Sequence, residues 1–414
     1  HYQEASPRDR QNRLLIDVYE PGSVMKPFFV VAALERKIVT PETTFFCENG
    51  SYRVYGKTIR DDIHRYGTLS VHDIVVYSSN IGMVKIARRF GENENDWKGH
   101  AKALYEYLTR FGFRDGYNNP LLGMPGERGG ILRNLENWHS TSIGAIPFGQ
   151  EVSTNTLVLT AAYNAIANRG LYLKPYVFKG YRDRDGIFYP KPQPTATRIV
   201  SKEAVEPVVD MLVDVTERED GTGRRVRIPG FHLACKTGTA QKYDPKVKTY
   251  GYGMRIASFA GFFPAEDPEV TIVVMVDEPK KAKYGGEVAG PVWKKIAEEI
   301  IAYWGLSPTY RDDPRLAFVN QDSKKNSKSG NKVSQDDIST LRTFGVSRVV
   351  PDSKPSTEFL TEEIAMPDLR YLSKREAIVQ LAKLGLSGRF HGSGKVVKQE
   401  IAVGTPLHGK TDVG

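Results

Sequence analysis

The sequence predicts an α+β fold, with mixed helices and strands, in which helices cover an antiparallel sheet and a small α+β domain is appended. Helices interleaved with late, adjacent strands favour a sheet of this kind. A polar stretch then separates this region from a C-terminal tail that regains an apolar pattern. The chain is therefore expected to contain a large domain, a linker and a small domain.

The predicted helices come first in chain order. Residues 28–34, "FFVVAAL", are apolar on all sides, as expected of a helix buried on every face. Residues 72–91, "HDIVVYSSNIGMVKIARRFG", predict a helix, a short break at the serines and a second helix that ends at Gly91. Residues 156–170, "TLVLTAAYNAIANRG", predict a helix that stops at Gly170.

The predicted strands follow late in the chain and are separated by turn residues. They are "FHLACKTGTA", "SFAGFFP" and "EVTIVVMVDEP", at residues 231–240, 258–264 and 269–279. After them, "GPVWKKIAEEIIAYWG" predicts an amphipathic helix that Pro291 opens and Gly305 closes.

Composition divides the chain into three regions. These are a folded domain, a flexible polar linker that contains "NQDSKKNSKSGNKVSQDD" and a small domain, at residues 1–308, 309–365 and 366–414. In the last region Ser373 and Glu376 form a capping box before a helix that stops at Gly385.

The bulk properties exclude several classes of protein. Two cysteines are too few for a disulfide framework and lack the spacing of metal ligands. The longest apolar run is far shorter than the roughly 20 residues that span a bilayer. The net charge of +9 suggests an acidic partner, but no finger or RNA-binding signature points to nucleic acid. Because the chain begins at His1, we expect it to be part of a longer protein.

Ser23 and Lys26 stand one helical turn apart in "EPGSVMKPFF". Pro27 interrupts the helical pattern there, and local rules tend to be broken where function requires it. A serine hydroxyl needs a neighbouring base to become a nucleophile, and a lysine can be that base only if burial or another cation lowers its pKa. The apolar segment that follows could bury Lys26, so the pair indicates an activated serine.

Each short motif is weak when it is taken alone. A second Ser-x-x-Lys begins at Ser329 in the polar linker, and we interpret it as chance. Ser-x-Asn occurs at Ser78-Ser79-Asn80, in the break between two apolar helices, where polar side chains can project into a cleft. It also occurs at residues 153–155, where Ser153 is interpreted as a helix cap.

A third motif, Lys236-Thr237-Gly238 followed by Thr239, occurs once and lies on a predicted strand. A glycine within a strand lets another backbone approach closely. Such a strand can bind a peptide by strand addition, while lysine and threonine hold its carboxylate.

The three motifs in this order are specific, and they are the signature of penicillin-binding proteins and class A β-lactamases. The chain resembles the transpeptidase domain of class B penicillin-binding proteins over residues 12–305. "EPGSVMKP", "YSSNIGMVKIA" and "GTGRRVRIPGFHLACKTGTAQK" carry the resemblance. Residues 155–158, "NTLV", depart from the family's Thr-Pro-Leu-Gln-like run. Residues 366–407 resemble a PASTA module.

The resemblance implies a role for each motif residue. Ser23 would be the acylated nucleophile, Lys26 its general base and Ser78 the proton relay to the leaving amine. Asn80 would bind the amide of the donor peptide. The remaining groups would bind the substrate carboxylate and form the oxyanion hole: Lys236, Thr237, Gly238 and Thr239, with the backbone N–H groups of Ser23 and Thr239.

The resemblance also implies a setting for the enzyme. The substrate would be peptidoglycan stem peptide ending in D-Ala-D-Ala, delivered on a lipid-linked precursor, and β-lactams would be inhibitors. Partners would be a membrane glycosyltransferase and division proteins, with no metal, organic cofactor or nucleic acid. The catalytic domain would lie outside the bacterial cytoplasmic membrane. We expect the anchor, the pedestal domain and the first sheet strands to lie outside this sequence.

Three alternatives remain open. A β-lactamase shares the acylation chemistry, although no Glu-x-x-Leu-Asn deacylation motif is present. A β-lactam sensor uses the same serine. A non-catalytic scaffold of the division machinery would retain the fold with a decayed site.

Overall fold

The computed structural model contains two compact units, His1–Asn331 and Lys332–Gly414. It describes residues 6, 10–62, 64–114, 120–192, 194–244, 249–280, 282–310, 367–370, 387–388, 399, 401, 405 and 412–413. The second Ser-x-x-Lys at Ser329 and the predicted capping box at Ser373 and Glu376 lie outside these residues.

The described helices all belong to the first unit. They are α1 (Arg13–Ile16), α2 (Lys26–Glu35), α3 (Val71–Val76), α4 (Asn80–Ala87), α5 (Trp97–Arg110), α6 (Thr156–Ala167), α7 (Lys202–Glu217) and α8 (Gly285–Trp304). Short 3₁₀ turns occur at Gly22–Met25, Glu48–Gly50, Leu135–Asn137, Ser140–Gly144, Ile146–Phe148 and Arg224–Val226. Among the described helices, none is both long and apolar enough to cross a membrane.

The strands of the first unit are β1 (Thr44–Phe46), β2 (Ser51–Val54), β3 (Lys57–Arg60), β4 (Thr68–Ser70), β5 (Gly130–Ile131), β6 (Ser153–Thr154), β7 (Leu171–Tyr172), β8 (Gly180–Arg182), β9 (Phe188–Pro190), β10 (Thr197–Arg198), β11 (Ala234–Asp244), β12 (Thr249–Phe263) and β13 (Val270–Asp277). The last three form an antiparallel sheet in the order β11-β12-β13. The others pair in two-stranded ladders: β1 with β4, β2 with β3, β5 with β6, β7 with β10 and β8 with β9.

The three-stranded sheet has helices on both faces. Phe262 and Ala260 of β12 belong to a large core that includes α2, α4, α5, α6 and α7. Phe259 and Phe263 lie in a second core around the fully buried Trp293 of α8. The alternation follows from the two-residue period of a strand, and it confirms the predicted antiparallel sheet covered by helices.

Helix α2 is the centre of the larger core. Every residue from Lys26 to Ala33 is buried, and the ring of Phe28 contacts the rings of Phe111, Phe113 and Tyr163. A helix that is apolar on all sides can be stable only when other elements surround it. The apolar side chains on every face of α2 therefore require it to lie in the interior of the domain.

Two helix starts differ from the predictions. Helix α8 begins at Gly285, six residues before Pro291. Gly285 packs closely on the sheet, where a Cβ would lie 2.2 Å from the Ser258 carbonyl oxygen, so only glycine fits at this position. Asn155, not Ser153, caps α6, and its Oδ1 accepts from the Val158 N–H at 2.8 Å. Ser153 lies in β6 instead.

In the second unit, β14 (Ser387–Gly388) pairs in parallel with β15 (Asp412–Val413). The side chain of Gln399 accepts from the Leu369 N–H at 2.9 Å and donates to the Ile401 carbonyl at 2.8 Å. Leu369 is buried, with 3% of its surface exposed.

Candidate active site

The 3₁₀ turn that carries Ser23 runs directly into α2, so Pro27 falls in the first helical turn. A proline is tolerated there because the N–H groups of a first turn have no partner within the helix. The turn is held from two sides. Gly22, at a φ of 65°, donates its N–H to the Gly149 carbonyl at 3.1 Å, and a Cβ on Gly22 would lie 3.2 Å from the Cβ of Ala240 on β11.

Lys26 is completely buried and bonds to the Ser78–Asn80 segment. Its Nζ donates to the Ser78 carbonyl, lies 3.1 Å from Ser78 Oγ and lies 2.8 Å from Asn80 Oδ1. Burial lowers the pKa of Lys26 to about 7, although the nearby carboxylates of Asp61 and Asp62 raise it in part. About half of the Lys26 side chains are thus neutral near pH 7, which an exposed lysine would not be.

The three Lys26 contacts fit a neutral amine as well as an ammonium group. The Ser78 carbonyl and Asn80 Oδ1 can only accept, and an amine still has two protons for them. The lone pair of the neutral amine can then accept a hydrogen bond from a hydroxyl group, such as that of Ser78. The amide of Asn80 has its other end on the Arg60 carbonyl, to which Nδ2 donates at 2.9 Å.

Ser78 has left-handed backbone dihedrals, with a φ of 64°. It directly follows Tyr77, the C-cap of α3, where a glycine would be the usual residue. For a residue with a Cβ this conformation costs about 1 kcal/mol or more. Backbone strain of this kind persists only where neighbouring groups hold it, and it is common in active sites.

Asp61 holds the other side of this turn. Its Oδ1 accepts from the Asn80 N–H at 2.6 Å and from the Ile81 N–H at 3.2 Å, and Ser79 Oγ donates to Oδ2 at 3.0 Å. These are the unpaired donors at the start of α4, where a carboxylate is favourable. Burial raises the pKa of Asp61, while these hydrogen bonds and Lys26 lower it in part.

The Lys-Thr-Gly motif lies on β11, opposite the serine turn. Lys236 is fully buried, and burial together with the charge of Lys26 lowers its pKa well below the usual value. A Cβ on Gly238 would lie 2.2 Å from Ser258 Oγ and 2.9 Å from Val24 Cγ1, so only glycine fits there. The closest neighbours are these two side chains, and the backbone carbonyl oxygen of Pro21 follows at 3.1 Å, so the glycine makes room for the serine turn; docking of a peptide backbone here stays a prediction.

The two threonines of this strand direct their hydroxyl groups differently. Thr239 Oγ1 accepts from the Gly285 N–H at 3.1 Å, which leaves its own proton to be donated into the cleft. Thr237 Oγ1 instead donates to Thr222 Oγ1 at 3.1 Å.

The predicted residues converge on one cleft of about 470 Å³. Ser23, Ser78, Thr237 and Thr239 line it directly. Lys26 contacts the cleft residue Ser78, and Asn80 in turn accepts from Lys26, while Lys236 and Gly238 lie on the same stretch of β11. Other residues complete the lining: Asp61, Asp62, His64, Tyr66, Tyr77, Asp220, Thr222, Arg224, Arg225, Tyr284, Gly285, Gly286 and Glu287.

Comparison with known families assigns most of the chain. Residues 1–298 match the model of the penicillin binding protein transpeptidase domain. The chain belongs to the penicillin-binding protein transpeptidase family. Residues 364–413 match the PASTA domain, so the predicted combination of a penicillin-binding protein fold with a PASTA-like module is confirmed.

Relatives of this penicillin-binding protein domain carry transpeptidase names. The probable peptidoglycan D,D-transpeptidase PenA of Neisseria meningitidis serogroup A is 33% identical over 306 residues, which are 74% of this chain and 48% of the relative. The peptidoglycan D,D-transpeptidase FtsI of Buchnera aphidicola is 32% identical over 304 residues, 72% of this chain and 48% of the relative. The chain therefore spans about half the length of these curated relatives.

Solved structures of the family are similar as well. The transpeptidase domain of penicillin-binding protein 3 from Burkholderia pseudomallei is 32% identical, with a TM-score of 0.63 over 73% of this chain and 84% of that one. Penicillin-binding protein 3 from Mycobacterium tuberculosis, in complex with aztreonam, is 28% identical, with a TM-score of 0.63 over 72% of this chain and 66% of that one.

Several cleft residues of this penicillin-binding protein escaped the sequence analysis. Tyr66 and Tyr77 stack with centroids 5.5 Å apart, and the Tyr77 hydroxyl donates to Asp220 at 2.6 Å. Arg218 donates to the Tyr77 hydroxyl and to Asp73, and this network anchors the residue before Ser78. These residues come from three separate stretches of the chain, around Tyr66, at Asp73–Tyr77 and at Arg218–Asp220, so no spacing in the sequence could reveal the network.

Proposed function

We propose that this chain is the transpeptidase part of a peptidoglycan D,D-transpeptidase, which cross-links stem peptides through an acyl-enzyme on Ser23. The observation that supports this most directly is Lys26, a buried lysine with a pKa of about 7 that contacts Ser78 and Asn80 beneath a cleft lined by Ser23. A general base works best when its pKa lies near the operating pH.

In the proposed acylation, Lys26 in its neutral form takes the Ser23 hydroxyl proton. Ser23 Oγ bonds to the carbonyl carbon of the penultimate D-alanine, and the bond to the nitrogen of the terminal D-alanine breaks. The proton returns through Ser78 Oγ to this leaving amine. An amine from a second stem peptide then attacks the ester, and Ser23 regains its proton.

The carboxylate of the terminal D-alanine would bind at β11. Thr239 has a hydroxyl proton available on the cleft side, because its oxygen already accepts from Gly285. Lys236, which is buried three residues earlier on the same strand, would regain its positive charge next to a carboxylate, since an opposite charge favours the charged form. Backbone N–H groups of Ser23 and Thr239 would stabilise the oxyanion, each by about 3 kcal/mol.

The names of the relatives support the wider setting of this proposal. They indicate a peptidoglycan substrate and, from the aztreonam complex, binding of β-lactams. We extend the proposal to a bacterial protein anchored in the cytoplasmic membrane, with its catalytic domain outside. A membrane glycosyltransferase and division proteins would be its partners. Residues 1–308 would form the catalytic domain, 309–365 the linker and 366–414 the PASTA-like domain.

A penicillin adduct tests the proposal. The chain should form a stable covalent adduct on Ser23, which intact-mass spectrometry detects as added mass that persists for many minutes. Ser23→Ala should form no adduct, whereas Ser329→Ala, in the second Ser-x-x-Lys, should react like the parent.

Two of the other possible functions, the β-lactamase and the non-catalytic scaffold, give different results in this experiment. A β-lactamase would hydrolyse many equivalents of penicillin, because it must activate a water against the ester. A non-catalytic scaffold would form no adduct although it is folded. Either result would refute the transpeptidase proposal.

A further inference from the structure

We propose that Thr222 is a positioning residue, which links the carboxylate-binding strand to the strained turn of Ser78. This inference deepens the proposed function and rests on it. Thr222 lies between α7 and the 3₁₀ turn Arg224–Val226, and it lines the cleft. Its Oγ1 donates to the Val76 carbonyl at 3.2 Å and accepts from Thr237 Oγ1 at 3.1 Å.

The direction of this hydroxyl chain follows from its last member. The Val76 carbonyl can only accept, so the single proton of Thr222 must go to it. Thr222 Oγ1 can then only accept from Thr237. The proton of Thr237 is thus engaged with Thr222, and Thr237 has only lone pairs to offer a ligand.

A substrate carboxylate changes the arrangement. A carboxylate can only accept, so Thr237 has to rotate its hydroxyl proton from Thr222 to the ligand. Thr222 can then turn its own proton from the Val76 carbonyl to Thr237 Oγ1, so the hydrogen bond between the two hydroxyl groups persists with its direction reversed and holds Thr237 in place. Thr239 needs no such rearrangement, because its hydroxyl oxygen accepts from the Gly285 N–H and its proton remains available to a ligand. The two threonines of the motif therefore have different roles in carboxylate binding.

The other end of the chain reaches the serine turn. Val76 is the last residue of α3, where carbonyl groups lack helical partners. Tyr77 and the left-handed Ser78 follow at once. Asp61 holds this turn from the side of α4, and Thr222 holds it from the side of β11. The Thr222 hydroxyl thus connects Thr237 with the segment that leads into Ser78, two motifs that are more than 150 residues apart in the sequence.

Close packing fixes the position of Thr222 itself. The Gly223 N–H donates to the Val215 carbonyl of α7 at 2.8 Å. On the other side, a Cβ on Gly286 would lie 2.6 Å from the Thr222 carbonyl oxygen. The backbone of this loop is held between α7 and the start of α8, so the hydroxyl of Thr222 is a fixed reference for Thr237.

Thr222→Val tests the inference, because valine keeps the shape of threonine and removes the hydroxyl. We expect the second-order rate constant for acylation by benzylpenicillin to fall about tenfold, the usual effect of losing one hydrogen bond. With the methyl ester of the same penicillin, which has no carboxylate, the fall should be less than threefold. Thr222→Ser should restore the parent rate with benzylpenicillin to within about twofold.

Thr160→Val is the matched control, since Thr160 donates to the Thr156 carbonyl within α6 and does not line the cleft. It should acylate like the parent. Equal losses with the acid and the ester in Thr222→Val would show a merely structural role and overturn the inference. An unchanged rate with benzylpenicillin would overturn it too.

A second measurement does not depend on acylation. Thermal unfolding of Thr222→Val, Thr237→Val and the double variant should show a combined loss of stability that is clearly smaller than the sum of the single losses. Additive losses would refute the direct link between the hydroxyl groups. If the parent forms no adduct, the proposed function fails, whereas additive losses in this cycle refute the link between Thr222 and Thr237 whether or not the parent is acylated.

Discussion

The ionisation of Lys26 leads to a quantitative prediction about pH. With a pKa of about 7, the neutral fraction of Lys26 is roughly one-tenth at pH 6 and nine-tenths at pH 8. If the neutral amine is the base, acylation of Ser23 by penicillin should rise about tenfold between these pH values and change little above them. A lysine with an ordinary pKa would give about a hundredfold rise over the same range and would continue to rise beyond pH 9.

The assay is the second-order rate constant of adduct formation, measured by intact-mass spectrometry at a series of pH values. Lys26→Arg should reduce acylation to near background at every pH, because arginine remains protonated. Circular dichroism should show that this variant is folded. Normal acylation by folded Lys26→Arg, or a profile that still rises at pH 9, would refute the assignment of Lys26 as the base.

Asp61 provides a test of the cause. Its negative charge raises the pKa of Lys26, so Asp61→Asn should move the acylation profile to lower pH. The amide can still accept from the N–H groups of Asn80 and Ile81, although more weakly than the carboxylate. A shift towards higher pH would contradict the electrostatic account.

Three further predictions concern stability and the tail. Lys26 keeps its proton up to about pH 10.5 in the unfolded chain but loses it near pH 7 in the folded protein. The free energy of unfolding should therefore rise with pH across this window by up to about 1.4 kcal/mol per pH unit. Denaturant unfolding of Lys26→Met should show a weaker dependence of this free energy on pH. Gly149→Ala should lower the free energy of unfolding by about 2 kcal/mol or more and slow acylation, because φ is 81° and a Cβ would lie 2.1 Å from the Gly22 carbonyl oxygen. The control is Gly56→Ala, which is also at positive φ but has open space around it and should leave acylation unchanged. Deleting residues 323–414 should change acylation less than twofold; abolished acylation in a folded truncated chain would place the tail in the catalytic domain.

Much of the fold could be predicted because the core elements have strong local patterns. The segment at residues 28–34 is apolar on all sides, and such a helix must be central, as α2 is. The three late strands follow one another along the chain and pair as antiparallel neighbours, although β11 and β12 extend to Asp244 and back to Thr249, beyond the predicted residues 231–240 and 258–264. The predicted start of α8 at Pro291 was wrong, since the helix begins at Gly285, and the sequence does not show that its first two glycines pack against the sheet and a neighbouring loop.

The motif residues could be predicted for a different reason. Ser23, Ser78 and Lys236 belong to short patterns whose combination is specific, and the structure brings these patterns to one cleft. Asp61 and Thr222 belong to no such pattern. Each acts through one side chain on an element distant in sequence, and single polar residues in loops are too common to indicate a contact.

The two buried lysines connect carboxylate binding with activation of the base in the proposed reaction. Lys26 and Lys236 are both fully buried, and the charge of one lowers the pKa of the other. Two ammonium groups that repel each other in the protein interior are costly, so we expect at most one of the two lysines to be charged before substrate binds. A substrate carboxylate at β11 stabilises the charge on Lys236, and this charge in turn disfavours a proton on Lys26. Binding of a carboxylate therefore promotes the neutral base, and a substrate without one loses part of the catalytic effect as well as affinity.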